Sequence, residues 1–386
     1  VKRLRVGVLY GGRSSEHEVS LASAASVLAN LDRKRYEPIP IRIEKDGRWV
    51  IADRPPSATS AADVIEQMKA EAFRARPGRS VFMPPRPGDD TLVIVDRRSA
   101  DADTAETAAA LTGLHLDLIF PVLHGPLGED GTIQGLLELA NLPFAGCGVL
   151  ASAVGMDKAV MKVLFRAAGL TVPDWVVVAA HRWQADPDAE IAAIERALPD
   201  VLFVKPANLG SSVGISKVTR PEQLRPAIDL AMSFDRKVVV ETAVVDAREI
   251  ECAVLGNDDP QASVPGEILP SREFYDYEAK YLDSGSRLEI PASLTDAEAA
   301  TIRRQAVEAF LAIDGAGLAR VDFLLSRRTG ALFVNEINTM PGFTTISMFA
   351  KLWSATGVDY TTLLDRLIEM ALERHRAKQQ LRTSMI

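Results

Sequence analysis

Cysteine is nearly absent from this chain, and its scarcity removes several classes of function at once. Cys147 and Cys252 are the only two among 386 residues, so there is neither a disulfide framework nor a zinc-ligand spacing. The five histidines, His17, His115, His124, His181 and His375, are too scattered for an obvious metal cluster. No apolar run approaches the ~18 residues that a bilayer-spanning helix needs, and nothing before the first strand reads as a signal peptide. A basic excess is missing as well. The formal charge is −8, which disfavours a nucleic-acid partner, because phosphate backbones favour basic surface. Short-period repeats are also lacking. What is there, 47% hydrophobic and 25% charged residues, has a soluble globular profile. The length suffices for two or three domains with sizeable cores. A reducing cytoplasm is the simplest home.

The stretch 319–345, ARVDFLLSRRTGALFVNEINTMPGFTT, carries the strongest chemical signal. Residues 318–325 and 332–336 read as two strands joined by Arg-Arg-Thr-Gly. Side chains alternate faces along a strand, so Arg320 and Asp322 share one face, and Glu336 and Asn338 share a face on the second strand. Carboxylates among Phe323, Leu324, Leu332, Phe333 and Val334 are costly unless a cation neutralises them. An all-oxygen set suits Mg²⁺, which usually arrives with a nucleotide phosphate. The alternative is an exposed edge hairpin with solvated charges. The following Met-Pro-Gly-Phe-Thr-Thr loop offers backbone N–H groups to an anion, which favours a phosphate and metal site.

Taken in order, residues 4–10 form a buried-strand run broken at Gly11-Gly12. A helix follows, with Ser15 and Glu18 spaced as a capping box and Leu21, Ala25, Leu28 and Leu31 as its apolar stripe. Glu16 in its first turn reads either as a cap or as a group that attracts an ammonium. Gly-Gly-Arg-Ser-Ser is not a dinucleotide fingerprint. Residues 36–43 are a strand, and 52–110 an elaboration with one helix near 61–74. The strand 116–120 ends in a loop with three glycines, two acids and His124, a ligand crevice in α/β sheets; a lone histidine is otherwise more often structural. A single helix over 150–170 carries Asp157-Lys158. A strand at 172–178 and a helix at 188–198 follow. Strand 201–205 ends in Lys205 and opens into a Gly/Ser loop before strand 215–218, a hairpin lid able to cover phosphates although it lacks P-loop spacing. Strands 238–241 and 249–255 read as a pair. The stretch 270–291 is aromatic, charged and weakly periodic, which suggests a lid. Helices at 294–313 and 360–375 are amphipathic and pack on the sheet carrying the hairpin.

With these residues in view, the chain resembles the D-alanine–D-alanine ligases of the ATP-grasp superfamily. The matching segments are GGRSSEHEVS, LHGPLGEDGTIQG, GMDK, VKPANLGSSVG, FYDYEAKY, ARVDF and NEINTMPG, in that order, over almost the whole chain outside 52–110. The resemblance implies an α/β protein: an open N-terminal α/β domain (1–147, variable near 52–110), then a two-part α+β ATP-grasp fold enclosing ATP between two sheets. Its central part is 148–240, and its C-terminal part, 241–386, carries the metal site and the lid at 270–291. It implies that Asp322, Glu336 and Asn338 hold two Mg²⁺ ions, with Mn²⁺ able to substitute. Lys158 and Lys205 contact the α- and β-phosphates, Ser212 belongs to the nucleotide-binding set, Lys280 contacts the transferred phosphoryl group, and Glu241 and Glu249 lie near adenine and ribose. Glu16, in a hydrogen-bonded set with Ser211 and Tyr281, receives the ammonium of the first D-alanine, with His124 beside it. Arg320 and the Gly342 N–H stabilise the oxyanion, and Ser347 and Met348 hold the second substrate. A cytoplasmic homodimer without membrane insertion is implied too. Thr242 departs from the family, where a lysine commonly follows the adenine-strand glutamate.

The chemistry accounts for these residue types. An amine attacks a carboxylate only after an oxygen becomes a leaving group, so ATP phosphorylates it first. That transfer needs positioning and cationic neutralisation, and the later oxyanion needs preorganised donors. A closing lid keeps water from the acyl phosphate. A ligase forming a D-alanyl–D-lactate ester is disfavoured by FYDYEAKY, and a catalytically dead nucleotide-binding regulator by the intact metal and lysine set. A dinucleotide oxidoreductase has the wrong glycine spacing.

Overall fold

Three sheets arise from the apolar runs of the sequence. The computed structural model describes residues 2–52, 55–71, 79–88, 91–97, 109–198, 201–269 and 287–382. The first sheet is built from β1 (Leu4–Gly11), β2 (Tyr36–Ile43), β3 (Trp49–Ile51), β4 (Arg79–Phe82), β5 (Leu92–Arg97), β6 (Ala109–Leu114) and β7 (Leu118–Pro121). Its order is β6-β5-β4-β3-β2-β1-β7. β1 runs parallel to β2 and β7, and the stretch expected as a loose elaboration instead adds antiparallel strands at one edge. Helices α1 (His17–Asn30), α2 (Ala61–Glu71) and α3 (Thr132–Leu139) belong to this part.

The second sheet, β10-β9-β11-β8, is antiparallel. In chain order this part holds α4 (Val149–Met156), α5 (Lys158–Ala167), β8 (Trp175–Ala179), α6 (Ala180–Ala185), α7 (Pro187–Ala197), β9 (Leu202–Pro206), β10 (Ser216–Val218), α8 (Leu224–Met232) and β11 (Lys237–Thr242). The third sheet runs β15-β14-β12-β16-β17 with β13 beside β12. Its strands are β12 (Ala247–Gly256), β13 (Gln261–Ala262), β14 (Gly266–Leu269), β15 (Arg287–Glu289), β16 (Gly317–Ser326) and β17 (Leu332–Asn338), and its helices are α9 (Asp296–Ala312), α10 (Met348–Ala355) and α11 (Tyr360–Gln379). The long antiparallel β12/β16 ladder pairs Ala247 with Ser326 through to Gly256 with Gly317.

One apolar core is shared by the first and last parts of the chain, joining Val6, Tyr10 and Phe120 to Phe343, Trp353 and Leu367. A second lies under the third sheet, with α9 contributing Ile302, Ala306 and Phe310. The four-stranded sheet has its own, around Val204, Ile228 and Val240.

Several local expectations are corrected. The helix expected over 150–170 is two helices, broken at Asp157, whose backbone is extended (φ −82°, ψ 97°). Its carboxylate accepts from the Ala159 and Val160 N–H groups at 3.1 Å each, a side-chain cap that starts α5. Strands β11 and β12 do not pair with each other. β11 bonds to β8 and β9, whereas β12 crosses into the third sheet. The Ser15/Glu18 capping box does not form, because the N-cap is Glu16 and no side chain caps α1. Glu18 instead meets Lys45 at 2.6 Å. The stripe expected on α1 understates its burial, since Val19 through Leu28 are all buried. At the far end of the supposed lid, β15 pairs with β14. Residues 270–286, with Lys280 and Tyr281, lie outside the described residues.

Candidate active site

The hairpin expected to hold a metal is β16/β17, and its register sets which groups meet. Arg320 lies opposite Asn338, and Asp322 opposite Glu336. The guanidinium of Arg320 grips Asp322 through two bonds of 2.6 and 2.7 Å, and Asn338 donates to Asp322 at 2.9 Å. From the neighbouring strand, Glu251 lies 3.0 Å from Arg320. Burial alone would discharge Arg320; Asp322 and Glu251 outweigh it and hold the group firmly charged. Beyond Asp322 the register slips, so that Phe323 faces Val334 and Asn335 is skipped. Such a bulge re-aims a side chain. Here the Asn335 amide oxygen is 3.5 Å from Lys205 Nζ.

Two lysines reach the same region from the second sheet and its flanking helix. Asp157 starts α5 at Lys158, whose N–H bonds to the Ala207 carbonyl at 2.9 Å and whose Nζ donates to the Leu209 carbonyl at 2.6 Å. Lys158 also lies 3.6 Å from Glu336, tying the loop after β9 to the hairpin. Lys205, at the end of β9, meets Glu241 at 2.5 Å, and Glu241's other oxygen meets Lys162 at 2.8 Å. Lys162 and Glu241 are about 1% exposed. Burial would raise the Glu241 carboxyl, but the two lysine charges prevail and hold it down at about 2. Glu249, half-buried on β12, is close enough for its charge to act on Lys205.

The third convergence joins the first sheet to the loop after β9. Ser211 donates to the buried Glu16 in a very short hydrogen bond; Glu16 is the N-cap residue of α1, but its side chain makes no capping bond and reaches across to another part of the chain. Ser211 and Ser212 adopt left-handed backbone (φ +51° and +59°), strain that clusters where a loop must present groups to a ligand. Gly125 (φ +77°) is required next door, since a Cβ there would stand 2.8 Å from Glu16 Oε2. Glu129 accepts from the Gly125 N–H at 2.9 Å. Its burial, with Glu16's charge behind it, pushes its carboxyl up to about 8. A cleft is lined by Glu129, Lys158, Gly210, Glu336, Asn338 and Thr339, among others.

His124 is buried, with both ring nitrogens engaged by the protein. Ser347 lies over Gly342, where an added Cβ would sit 3.3 Å from its Oγ, and that hydroxyl also bonds Thr344 at 2.7 Å. Met348 packs into the shared core. Lys162, Glu251 and Glu129 were not singled out from the sequence as site residues. Two had a usable signal: Lys162 follows Lys158 by four on one helix face, and Glu251 shares a strand face with Glu249. Among the described residues no cluster of three His, Cys, Asp or Glu side chains could hold a metal.

Two family models match the chain: the D-ala D-ala ligase N-terminus over residues 5–147 and the D-ala D-ala ligase C-terminus over 164–369. A D-alanine–D-alanine ligase from Heliobacterium modesticaldum is 48% identical over 97% of this chain and 96% of its own. The solved D-alanine–D-alanine ligase of Coxiella burnetii superposes with a TM-score of 0.78 at 35% identity, covering 98% of this chain and 97% of that one. The VanG D-Ala:D-Ser ligase of Enterococcus faecalis gives 0.79 at 32% identity, over 96% and 100%.

The Lys162–Glu241–Lys205 cluster makes a stability prediction. Glu241→Gln leaves two lysines buried against each other and should destabilise the fold by about 3–5 kcal/mol. Lys162→Met should cost much less, because Glu241 keeps Lys205. Urea melts of the two variants test this ordering, and equal losses would mean that the carboxylate is not the centre of the cluster. Glu241's depressed carboxyl gives stability that is present above the ordinary value of 4.5 and lost as pH falls toward about 2. The Glu241→Gln protein should lack that part of the acid loss.

Proposed function

The chain belongs to the D-alanine–D-alanine ligase family, and from that premise we propose that it joins two D-alanines into D-alanyl-D-alanine, converting ATP to ADP and phosphate. The carboxylate of the first D-alanine attacks the γ-phosphorus, and ADP leaves. The amine of the second attacks the resulting acyl carbon, loses a proton, and phosphate departs. The product is a cell-wall peptide precursor. The observation that carries this reading is the meeting of three parts of the chain around one cleft: Lys158, Gly210 next to the Glu16–Ser211 bond, and Glu336 and Asn338 of the hairpin.

Each side chain has a task in this proposal. Glu16 receives the first ammonium, fixed by Ser211 and by Tyr281 of the lid. Lys158, Lys205 and Ser212 hold phosphates, and Lys280 the transferred group. Glu241 and Glu249 face the adenosine; Thr242 supplies no cation there, and Glu241 already has Lys162 and Lys205. Arg320 and the Gly342 N–H stabilise the oxyanion, worth about 2.7–4 kcal/mol per donor in such sites. Ser347 takes the second substrate's carboxylate beside Met348. Asp322, Glu336 and the Asn338 amide oxygen form a hard, all-oxygen set that fits Mg²⁺ or Mn²⁺, and Glu336 already stands next to a phosphate-type lysine. Divalent cations bound there, two in this proposal, would neutralise phosphoryl charge. A division into 1–147, a middle part ending after Thr242 so as not to cut β11, and the remainder is proposed with it. A cytoplasmic homodimer completes the reading. Among the described residues no helix is long and apolar enough to cross a membrane.

The deciding experiment measures ADP release and dipeptide with D-alanine, L-alanine, D-alanine plus D-lactate, or no amino acid. Dipeptide and ADP should form together with D-alanine alone; ADP release indifferent to amino acid would overturn the proposal. Glu336→Gln should abolish turnover at saturating Mg²⁺ with the fold intact, and wild-type turnover would remove the metal role from the hairpin. Glu16→Gln should raise KM for the first D-alanine far more than KM for ATP. Equal changes in both would return Glu16 to a structural role.

A further inference from the structure

The turn at 340–343 carries the Gly342 N–H; the Tyr360 hydroxyl holds the Phe343 carbonyl from nearby, and two further fixed points come from the far end of the sequence. His124 Nδ1 lies 3.1 Å from the Met340 carbonyl oxygen, so that nitrogen carries the ring proton and donates it. Nε2 is then an acceptor, and Ser23 Oγ, 3.0 Å away, donates to it. The same Ser23 oxygen accepts the Phe343 N–H at 3.1 Å. His124 and Ser23 thus hold Met340 and Phe343, one on each side of Pro341-Gly342. The linkage continues to the other substrate end. The His124 carbonyl accepts from Ser14 Oγ at 2.8 Å, and Ser14 Oγ accepts the Glu16 N–H at 3.1 Å. Ser23 and His124 are 0% and 4% exposed, and burial keeps the imidazole neutral, as the relay requires.

We propose that Ser23 and His124 are positioning residues that hold the Gly342 N–H in register with the Glu16 pocket. The inference rests on the ligase reading. Its chemical consequence is specific. A loosened turn still permits phosphorylation of the first substrate, but it slows attack by the second amine and leaves the acyl phosphate to water.

Ser23→Ala, His124→Leu and the milder His124→Asn test this in the full chain. Asparagine places an amide nitrogen near the Nδ1 position and keeps the grip on Met340. Ser23→Ala and His124→Leu should lower kcat for dipeptide by about 10–100-fold, the scale of a misplaced reacting group, with KM for ATP near wild type. ADP formed per dipeptide should rise above one, and His124→Asn should restore part of both. Folded variants with wild-type kcat and one ADP per dipeptide overturn the inference. So does activity lost only in proportion to the folded fraction, with the stoichiometry unchanged; should His124→Leu not fold, Ser23→Ala and His124→Asn decide. Wild-type protein that makes no dipeptide overturns the ligase assignment and this inference together, whereas active wild type with unperturbed variants overturns this inference alone.

Discussion

Charge compensation in a dry interior is the constraint on which this structure depends. A phosphate-handling site needs cations and acids held at fixed positions, and holding them fixed takes them out of water. An uncompensated buried charge costs several kcal/mol, so most charged groups here are set against an opposite one: Arg320 against Asp322 and Glu251, Lys158 against Glu336, Lys162 and Lys205 against Glu241; Glu129, beside Glu16, is instead pushed toward its neutral form. The strands dictate these meetings. Asp322 faces Glu251 on one side of β16 and Glu336 on the other, so three carboxylates span three neighbouring strands. Their mutual repulsion is offset by the Arg320 guanidinium, which bonds Asp322 and lies 3.0 Å from Glu251.

How much of this was legible depends on whether the information was local. The hairpin was, because period-two alternation and a short turn fix which side chains share a face, and the structure pairs Arg320, Asp322, Glu336 and Asn338 as that reading requires. The family segments were legible as strings, and they named Glu16 and Ser211 before any geometry linked them. Partners distant in sequence were not. Glu16 looked as much like a helix cap as a ligand group, and only the fold brings Ser211 to it. Strands β11 and β12 are neighbours in sequence and end in different sheets, since strand pairing is decided by what the other face must bury. Asp157 shows a local signal overridden by its surroundings in the reading: Gly155-Met-Asp157 sits inside a continuous apolar pattern, and the capping carboxylate breaks it.

The distribution of apolar contact differs between the parts of the molecule. The first sheet and the helices after β17 share one core, reinforced by Arg374, which donates to the Phe144 carbonyl at 3.1 Å and stacks 4.7 Å over that ring. Thr361 adds a bond to the Asn30 carbonyl at 3.1 Å. Separating these parts exposes a large apolar area at roughly 25 cal/mol per Å². The four-stranded sheet is different. It encloses its own core, and its apolar seam with the helix before it is small, built on Ala159, Ala207 and Val239. Its other ties are polar: Lys237 to Asp157, Ser211 to Glu16, Lys158 to Glu336 and the Leu209 carbonyl. Partly exposed polar ties exchange partners with water at little net cost, but the buried Lys162–Glu241 pair, which also joins the helix to this sheet, costs several kcal/mol to part. The sheet that carries Lys205 and the Ser211–Ser212 loop is therefore joined to the rest of the molecule more by charged and polar groups than by apolar area. Some of these ties also border the cleft, because Lys158, Leu209, Gly210 and Glu336 line it, so the contacts that hold this sheet and the lining of the cleft share residues.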